Sequence, residues 1–167
     1  FLSVRDSDKP KVTIAAHELH HAGFKLIATA GTARVIQAAG IPCRSVSRVH
    51  EGRPNVIDLI KNKEINLVVM SVAEHEHELD DARAIRQVCL AEQTTYYTTM
   101  AGGLAAAEGI RRSWKKLDEA GLILAVFDGS ERPTREDLEL AQRCAGRPAI
   151  ALVNKEDKPT RFDAELI

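Results

Sequence analysis

The sequence predicts a three-layer α/β sandwich with a mainly parallel sheet, and three observations carry that expectation. Apolar runs of strand length alternate with segments of helical periodicity along the whole chain, the pattern of strands joined by crossover helices and covered on both faces. The segment INLVVMSV (65–72) is a near-continuous apolar run, as a strand buried on both faces must be. The length of 167 residues, with 44% hydrophobic and 28% charged side chains, describes an ordinary globular chain, able to bury roughly 70% of its unfolded surface without disulfide or metal staples.

The elements follow in order. FLSV (1–4) reads as a first strand. A helix over about 8–22 carries Val12, Ala15, Ala16 and Leu19 at helical spacing and stops at Gly23. FKLIAT (24–29) is a strand, 31–39 a helix closed by Gly40, and CRSVS (43–47) a weaker strand. VIDLIKN (56–62) is helical and INLVVMSV is the strong strand. The polar stretch AEHEHELDD leads into a helix over 82–93, then TTYYTT (94–99) reads as a strand. One long helical run crosses 102–121, with no break signal stronger than Gly109. LILAVFDGS (122–130), REDLELAQRCAG (135–146) and PAIALVN (148–154) supply a last strand, helix and strand. About seven strands in one continuous sheet are expected, with a ligand crevice at their carboxyl ends.

Composition excludes several function classes. The net charge of −1 gives no field that would draw the chain to nucleic acid or an anionic membrane, so any anion site must be local. Cys43, Cys89 and Cys144 are odd in number and far apart, which predicts reduced thiols and a cytoplasmic protein. No segment approaches the roughly 18 apolar residues of a membrane span. The chain begins at Phe1, without Met and within a strand pattern, as if excised from a longer protein or trimmed of a tag.

Several residues are candidates for binding. ATAGTARV (28–35) is a strand, a tight turn at Gly31 and a helix start, with hydroxyls at Thr29 and Thr32. Helix amides at such a turn are a ready phosphate seat, or else Thr29 is a plain N-cap. Lys9 follows the first strand, and Arg48, His50 and Arg53 follow the third, so these cations meet Thr29 and Thr32 at one rim of a parallel sheet. Near the end, AIALVNKED (149–157) closes in Asn-Lys-x-Asp, the pattern with which GTP-binding proteins read guanine through Asn154, Lys155 and Asp157. Its usual companion, the phosphate loop G-x-x-x-x-G-K-[ST], is absent from the sequence. These three residues are therefore either a vestigial guanine site or a polar loop. His17 with His21, and His75 with His77, have chelate spacing but no third ligand, so exposed histidines are the expectation and no metal site is assigned. Asp128 is expected as a turn cap, and Trp114, Tyr96 and Tyr97 as core or interface.

The stretches FLSVRDSDK, ATAGTA, VHEGRPNVIDLIKN, ARAIR and TTYYTTMAGGLAAA occur in the order and spacing that resemble the C-terminal regulatory domain of carbamoyl-phosphate synthetase large subunits, over residues 1–107. That resemblance implies the methylglyoxal-synthase-like, Rossmann-like fold and an effector-binding domain that takes a nucleotide such as UMP or IMP by its phosphate. The implied phosphate ligands are Lys9, Thr29, Gly31, Thr32 and Arg48, the last standing where lysine is common. Met70 stands where the bacterial pattern has an asparagine, and Ala30 replaces a histidine. The same fold supports a lyase whose catalytic Asp falls in a Gly-Gly-Asp stretch. Here EGRPN fills that place, and Arg53 cannot act as the base, so no catalytic residue and no cofactor are expected.

From about Gly109 the pattern changes. GIRRS, LILAVFDGS and NKED are spaced as in the second half of the GTPase domain of the tRNA-modifying MnmE (TrmE) family, which implies a partial GTPase-like βαβ segment over 108–167. The P-loop, the Asp-x-x-Gly switch and the Ser-Ala-Lys segment of that family are missing from the sequence, so nucleotide hydrolysis has no residue set to hold Mg²⁺ and a γ-phosphate. The chain reads as a composite joined within the helix near 105–110. An engineered or recombined hybrid is the first explanation and a natural fusion the alternative. The functional expectation is a non-catalytic phosphate or nucleotide module, against a scaffold with no ligand. A half GTPase sheet also leaves an edge and a face uncovered, which predicts self-association into a homo-oligomer.

Overall fold

The computed structural model describes residues 1–72, 76–155, 157–159 and 161, with the backbone alone at 76 and 77. It divides into two compact units, Phe1–Trp114 and Lys115–Ile167, each built around its own core.

The first unit holds five strands, β1 (Leu2–Ser3), β2 (Leu26–Thr29), β3 (Cys43–Val46), β4 (Leu67–Met70) and β5 (Thr95–Tyr97). They pair in the order β3-β2-β1-β4-β5, every neighbour parallel. The connecting helices are α1 (Lys9–His21), α2 (Ala30–Ala38), α3 (Val56–Lys61) and α4 (Glu76–Ala91), and α5 (Met100–Glu119) follows β5. Chain order reverses between β1 and β4, so the connections that leave these two strands diverge and open a crevice at the carboxyl ends.

Helix boundaries follow local chemistry. Pro10 occupies the first turn of α1, where its missing N–H costs nothing. The helix closes at Gly23, φ +90°, with Phe24 N–H donating to the Leu19 carbonyl at 3.0 Å, a closure that only glycine adopts without strain. Asn55 caps α3 by accepting from Ile57 N–H at 3.0 Å, while Asp58 accepts from Asn55 N–H at 2.9 Å.

Two apolar clusters lie on opposite faces of the sheet. Val12, Ala16 and Leu19 of α1 and Ala33 and Ile36 of α2 pack with Leu2, Ala28 and Val69, and Met100 and Ala107 of α5 join them. Val56 and Ile60 of α3 and Ile85 and Cys89 of α4 pack with Val68 and Met70. Consecutive residues of β4 therefore serve opposite layers, as the strand period of two requires. The expected three-layer α/β sandwich is present in this unit.

The second unit comprises β6 (Ile123–Asp128), α6 (Arg135–Cys144) and β7 (Ala149–Asn154). β6 and β7 pair in parallel from Ile123 opposite Ala149 to Asp128 opposite Asn154. Ile123, Ala125, Phe127 and Cys144 form its core with Leu117, Leu140 and Ala141. Leu124, Val126, Ile150 and Leu152 line the other face of the ribbon, 44–57% exposed.

This corrects the single sheet of about seven strands expected from the sequence: five strands form one sheet and two form another. The physical reason is edge pairing: β6 bonds to β7 and not to an edge strand of the first sheet, and its alternating burial suits a ribbon covered on one face. Helix α4 also starts earlier than the 82–93 read from the sequence. Its first turns are acidic, and carboxylates near a helix N-terminus favour the helix rather than a loop. No helix of the described residues is long and apolar enough to cross a membrane.

Two glycines of α5 test this packing with opposite signs. A Cβ at Gly103 would run into both methyls of Val69, whereas a Cβ at Gly109 would meet nothing within 4 Å. Gly109→Ala is expected to raise stability by about 0.5–1 kcal/mol through helix propensity. Gly103→Ala is expected to lower it by about 1–2 kcal/mol, because the overpacking of α5 against β4 exceeds the same propensity gain. Urea denaturation of the two variants checks both.

Candidate functional site

At the carboxyl ends of the central strands lies a cavity of about 30 Å³, room for a water or two. Its wall is drawn from the ends of β1, β2 and β4 and the segments after β1 and β3, with Ser3, Arg5, Thr29, Arg48, Met70 and Ser71 among the lining residues. Glu78 and Asp81 of α4 complete it.

Thr29 is the hinge between β2 and α2. It is the N-cap residue by position, φ −63° and ψ 153°, yet its side chain makes no capping bond to the helix. Its hydroxyl instead shares hydrogen bonds with Ser3 Oγ at 3.2 Å and Thr32 Oγ1 at 3.4 Å. Thr32, 1% exposed, accepts from Val4 N–H at 3.2 Å. The two threonines thus sew the end of β1 to the start of α2, and the leading helix amides lack a capping side chain. Lys9 lies beside this turn: a Cβ at Gly31 would stand 3.9 Å from Lys9 Nζ, in ordinary contact, which brings the Lys9 ammonium onto the same turn. Lys9 is not among the residues lining the cavity; Thr29 and Arg48 are. The turn and both cations therefore gather at one rim, as the strand order predicts.

Each of these cations has a carboxylate partner. Lys9 Nζ is 2.7 Å from Asp6 Oδ1, and Arg48 Nη1 is 3.1 Å from Glu78 Oε1. Arg5 Nε is 2.9 Å from Asp8 Oδ2, and His50 Nδ1 is 2.8 Å from Asp81 Oδ2. Hydrogen bonding from Lys9 holds the Asp6 carboxyl below its ordinary range. The Ser71 hydroxyl, followed by Arg5, does the same for Asp8. Arg53 departs from the expected cluster. It pairs with Asp58 in the cap of α3 and is not among the residues lining the cavity, because the Asn55 cap draws Asp58 to that side.

Glu78 and Asp81 were missed by sequence reasoning, which placed AEHEHELDD in a connection rather than on a helix facing the crevice. The available signal was the placement of both residues three positions apart, on one face of any helix formed there. Met70, 6% exposed, belongs to the α3–α4 core as well as to the cavity wall, so it presents an apolar surface.

In the second unit the guanine-reading pattern is knitted into its own turn. Asn154 Oδ1 accepts from Lys155 N–H at 2.8 Å, and Lys155, φ +62°, turns its Nζ to Asp128 Oδ2 at 2.5 Å. Asp128 Oδ1 also accepts from Ser130 N–H at 3.0 Å and from the Ser130 hydroxyl at 2.7 Å. Asp157 is exposed, and Glu156 lies outside the described residues. Of the histidine pairs, His17 and His21 face each other with Nε2 atoms 3.1 Å apart, while the His75 and His77 pair lies outside the described side chains. All three cysteines are free thiols.

Residues 11–98 match the family model described as MGS-like domain. The carbamoyl phosphate synthase large chain of Ralstonia nicotianae is 48% identical over 110 residues, 66% of this chain and 10% of that protein. That of Pseudomonas aeruginosa is 45% identical over 111 residues, again 10% of its length. The C-terminal section of the Aquifex aeolicus large chain is 44% identical over 131 residues, 78% of this chain and 24% of that protein. This chain therefore spans from a tenth to a quarter of the length of these relatives. The Aquifex alignment is too long to end at residue 107, so similarity to one synthase runs through the expected junction.

The Asp128 turn generates a pH expectation. Hydrogen bonds from Lys155 and Ser130 hold the Asp128 carboxyl at about 2, below the ordinary value of 3.8. A lowered carboxyl stabilises the fold fully above its unfolded pKa and loses that contribution as pH falls toward the folded value. Asp128→Asn is thus expected to melt below the parent near neutral pH, with the difference shrinking as pH drops from about 4 to 2. Thermal melts across that range check it.

Proposed function

The chain belongs to the MGS-like domain family, and from that premise we propose that its crevice is a non-catalytic site for the phosphate of a small nucleotide such as UMP or IMP. The observation that carries the proposal is the convergence on one turn. The uncapped amides of α2, the Lys9 ammonium beside Gly31 and the Arg48 guanidinium sharing a wall with Thr29 together offer donors to one anion. Helix amides bring partial positive charge, Lys9 a point charge and Arg48 a planar fork that matches two phosphate oxygens. Thr29 and Thr32 hold the turn in place. Residues of this segment align with carbamoyl phosphate synthase large chains, and we read it as the module through which such an enzyme senses a nucleotide.

The paired state of the cations fits a site that exchanges partners. A partly exposed pair such as Arg48–Glu78 contributes about 1 kcal/mol. A phosphate dianion that also collects helix amides offers more, through charge-assisted bonds worth roughly 1.5–3 kcal/mol each. A lyase role lacks its base: Arg53 stands where the carboxylate would be needed, and it is engaged by Asp58.

A second reading concerns residues 108–167 as a GTPase-like βαβ fragment carrying a vestigial guanine pattern at Asn154, Lys155 and Asp157. The parallel β6–α6–β7 unit with its own core supports it. The Aquifex alignment favours instead a synthase segment that continues past residue 107.

Ligand-dependent melting tests these readings. Millimolar phosphate, UMP or IMP is expected to raise Tm. Lys9→Ala and Arg48→Ala are each expected to weaken binding roughly tenfold, and Glu78→Gln to strengthen it roughly threefold by freeing Arg48. GTP is expected to act no better than UMP, and Asp157→Ala to change neither. Absence of any shift, in the parent and in Glu78→Gln alike, overturns the nucleotide site.

A further inference from the structure

We propose that His17 and His21, on the exposed face of α1, chelate one divalent transition-metal ion through their two Nε2 atoms. The site is separate from the crevice, and nothing in the nucleotide reading requires it. The residues stand four apart on the last two turns of the helix, so their side chains rise over one another on the same face. Their Nε2 atoms are 3.1 Å apart and their rings are tilted by 53° with centroids 4.3 Å apart. At metal–nitrogen distances of about 2.0–2.1 Å, two nitrogens on adjacent positions of a tetrahedral or octahedral ion lie about 2.9–3.4 Å apart. The observed spacing falls within that interval without any change of rotamer.

Without metal, one ring must present Nε2–H and the other its lone pair for the contact to be a hydrogen bond. A metal ion replaces that shared proton and takes both lone pairs, with both rings in the Nδ1–H form. His17 Nδ1 stands 3.9 Å from Glu18 Oε1, beyond hydrogen-bond range but near enough for the carboxylate to attract an Nδ1–H. The opposite carboxylate oxygen of Glu18 is paired with Arg111 at 2.5 Å, which fixes the carboxylate's place. The last turn of α1 also presents the negative end of the helix dipole, so a cation is welcome there. Both histidines are exposed, so the ion keeps its remaining waters and crosses no apolar barrier.

The ligand set selects among metals. Two imidazoles with water in the other positions suit Cu²⁺, Ni²⁺ and Zn²⁺, in affinity order Cu²⁺ above Ni²⁺, and give no preference for Mg²⁺ or Ca²⁺. Among the described residues no group of three or more histidine, cysteine or carboxylate side chains is placed to hold an ion. The pair therefore makes an exchangeable site with open positions rather than a closed structural one. His20 is the built-in control: its ring sits edge-on to His21 at a centroid distance of 6.4 Å and is not aimed at the pair.

The test uses tag-free full chain titrated with Ni²⁺ by calorimetry and by melting, and with Cu²⁺ by electron paramagnetic resonance. One site is expected, with a Tm rise on Ni²⁺ and imidazole-nitrogen coupling on Cu²⁺. His17→Asn and His21→Asn are each expected to weaken Ni²⁺ binding at least roughly tenfold, and His20→Asn to leave it unchanged. All three positions are exposed, and metal-free melts of the variants confirm that the fold is intact. Equal affinity in the His17→Asn/His21→Asn double variant overturns the proposal, as does no binding of either ion at millimolar concentration.

Discussion

The first unit depends on its shortest strand. β1 holds two residues, yet it lies at the centre of the sheet, with Leu2 opposite both Ala28 and Val69 and Ser3 opposite Met70. Leu2 is 2% exposed, and burying a leucine contributes roughly 1.5–3 kcal/mol. Its greater effect is positional. Where β1 ends, Ser3 meets the Thr29 hydroxyl and Val4 N–H finds Thr32, so the same few atoms that complete the sheet also fix the start of α2. Arg5, Asp8 and Lys9 follow within one turn. The Thr29 turn and the residues that follow β1 are thus placed relative to a strand that the apolar core holds from both sides.

Charge is arranged around that rim in balance rather than in excess. Lys9, Arg5, Arg48 and His50 each face a carboxylate, and two of those carboxylates come from α4 on the other side of the crevice. A site built this way carries little net field, in keeping with the chain's net charge of −1, and its attraction for an anion acts only at short range. The arrangement gives α4 a direct part in any binding event, because an anion that reaches Arg48 competes with Glu78 for the same guanidinium. Met70 adds an apolar side chain to the wall beside these charged groups.

Most of the first unit was legible because its signals are local and agree with one another. The stripe Val12, Ala15, Ala16, Leu19 specified α1, Gly23 and Gly40 specified the ends of α1 and α2, and the apolar run around Val68 and Val69 specified a doubly covered strand. The rim positions of Lys9, Thr29 and Arg48 followed from strand order alone. What was not legible depends on partners distant in sequence. The acidic run before residue 82 carries no strong apolar stripe, so its helical state is visible only where Ile85 and Cys89 anchor the rest of α4 in the core. Whether β6 joins the first sheet is decided by edge pairing, which leaves no pattern in one strand's own residues. The alternation in β6 was present in the sequence, but the same alternation suits an edge strand and an independent ribbon alike.

The Asn-Lys-x-Asp pattern shows how one polar signature can serve two ends. A guanine reader needs Asn154 and Lys155 poised toward a base, with their hydrogen-bonding groups unspent. Here the Asn154 carbonyl oxygen takes the Lys155 amide, and the Lys155 ammonium takes Asp128, a residue that simultaneously caps Ser130. Gly129 N–H donates to the Asn154 carbonyl at 2.8 Å, and a Cβ at Gly129 would approach that carbonyl to 2.7 Å, so the two turns are locked edge to edge. These bonds join the ends of β6 and β7, where a two-stranded ribbon is weakest. To read a base, the same groups would have to give up the contacts that close the ribbon. Asn154 and Lys155 are thus engaged in closing this turn, while Asp157, the third residue of the pattern, stays exposed.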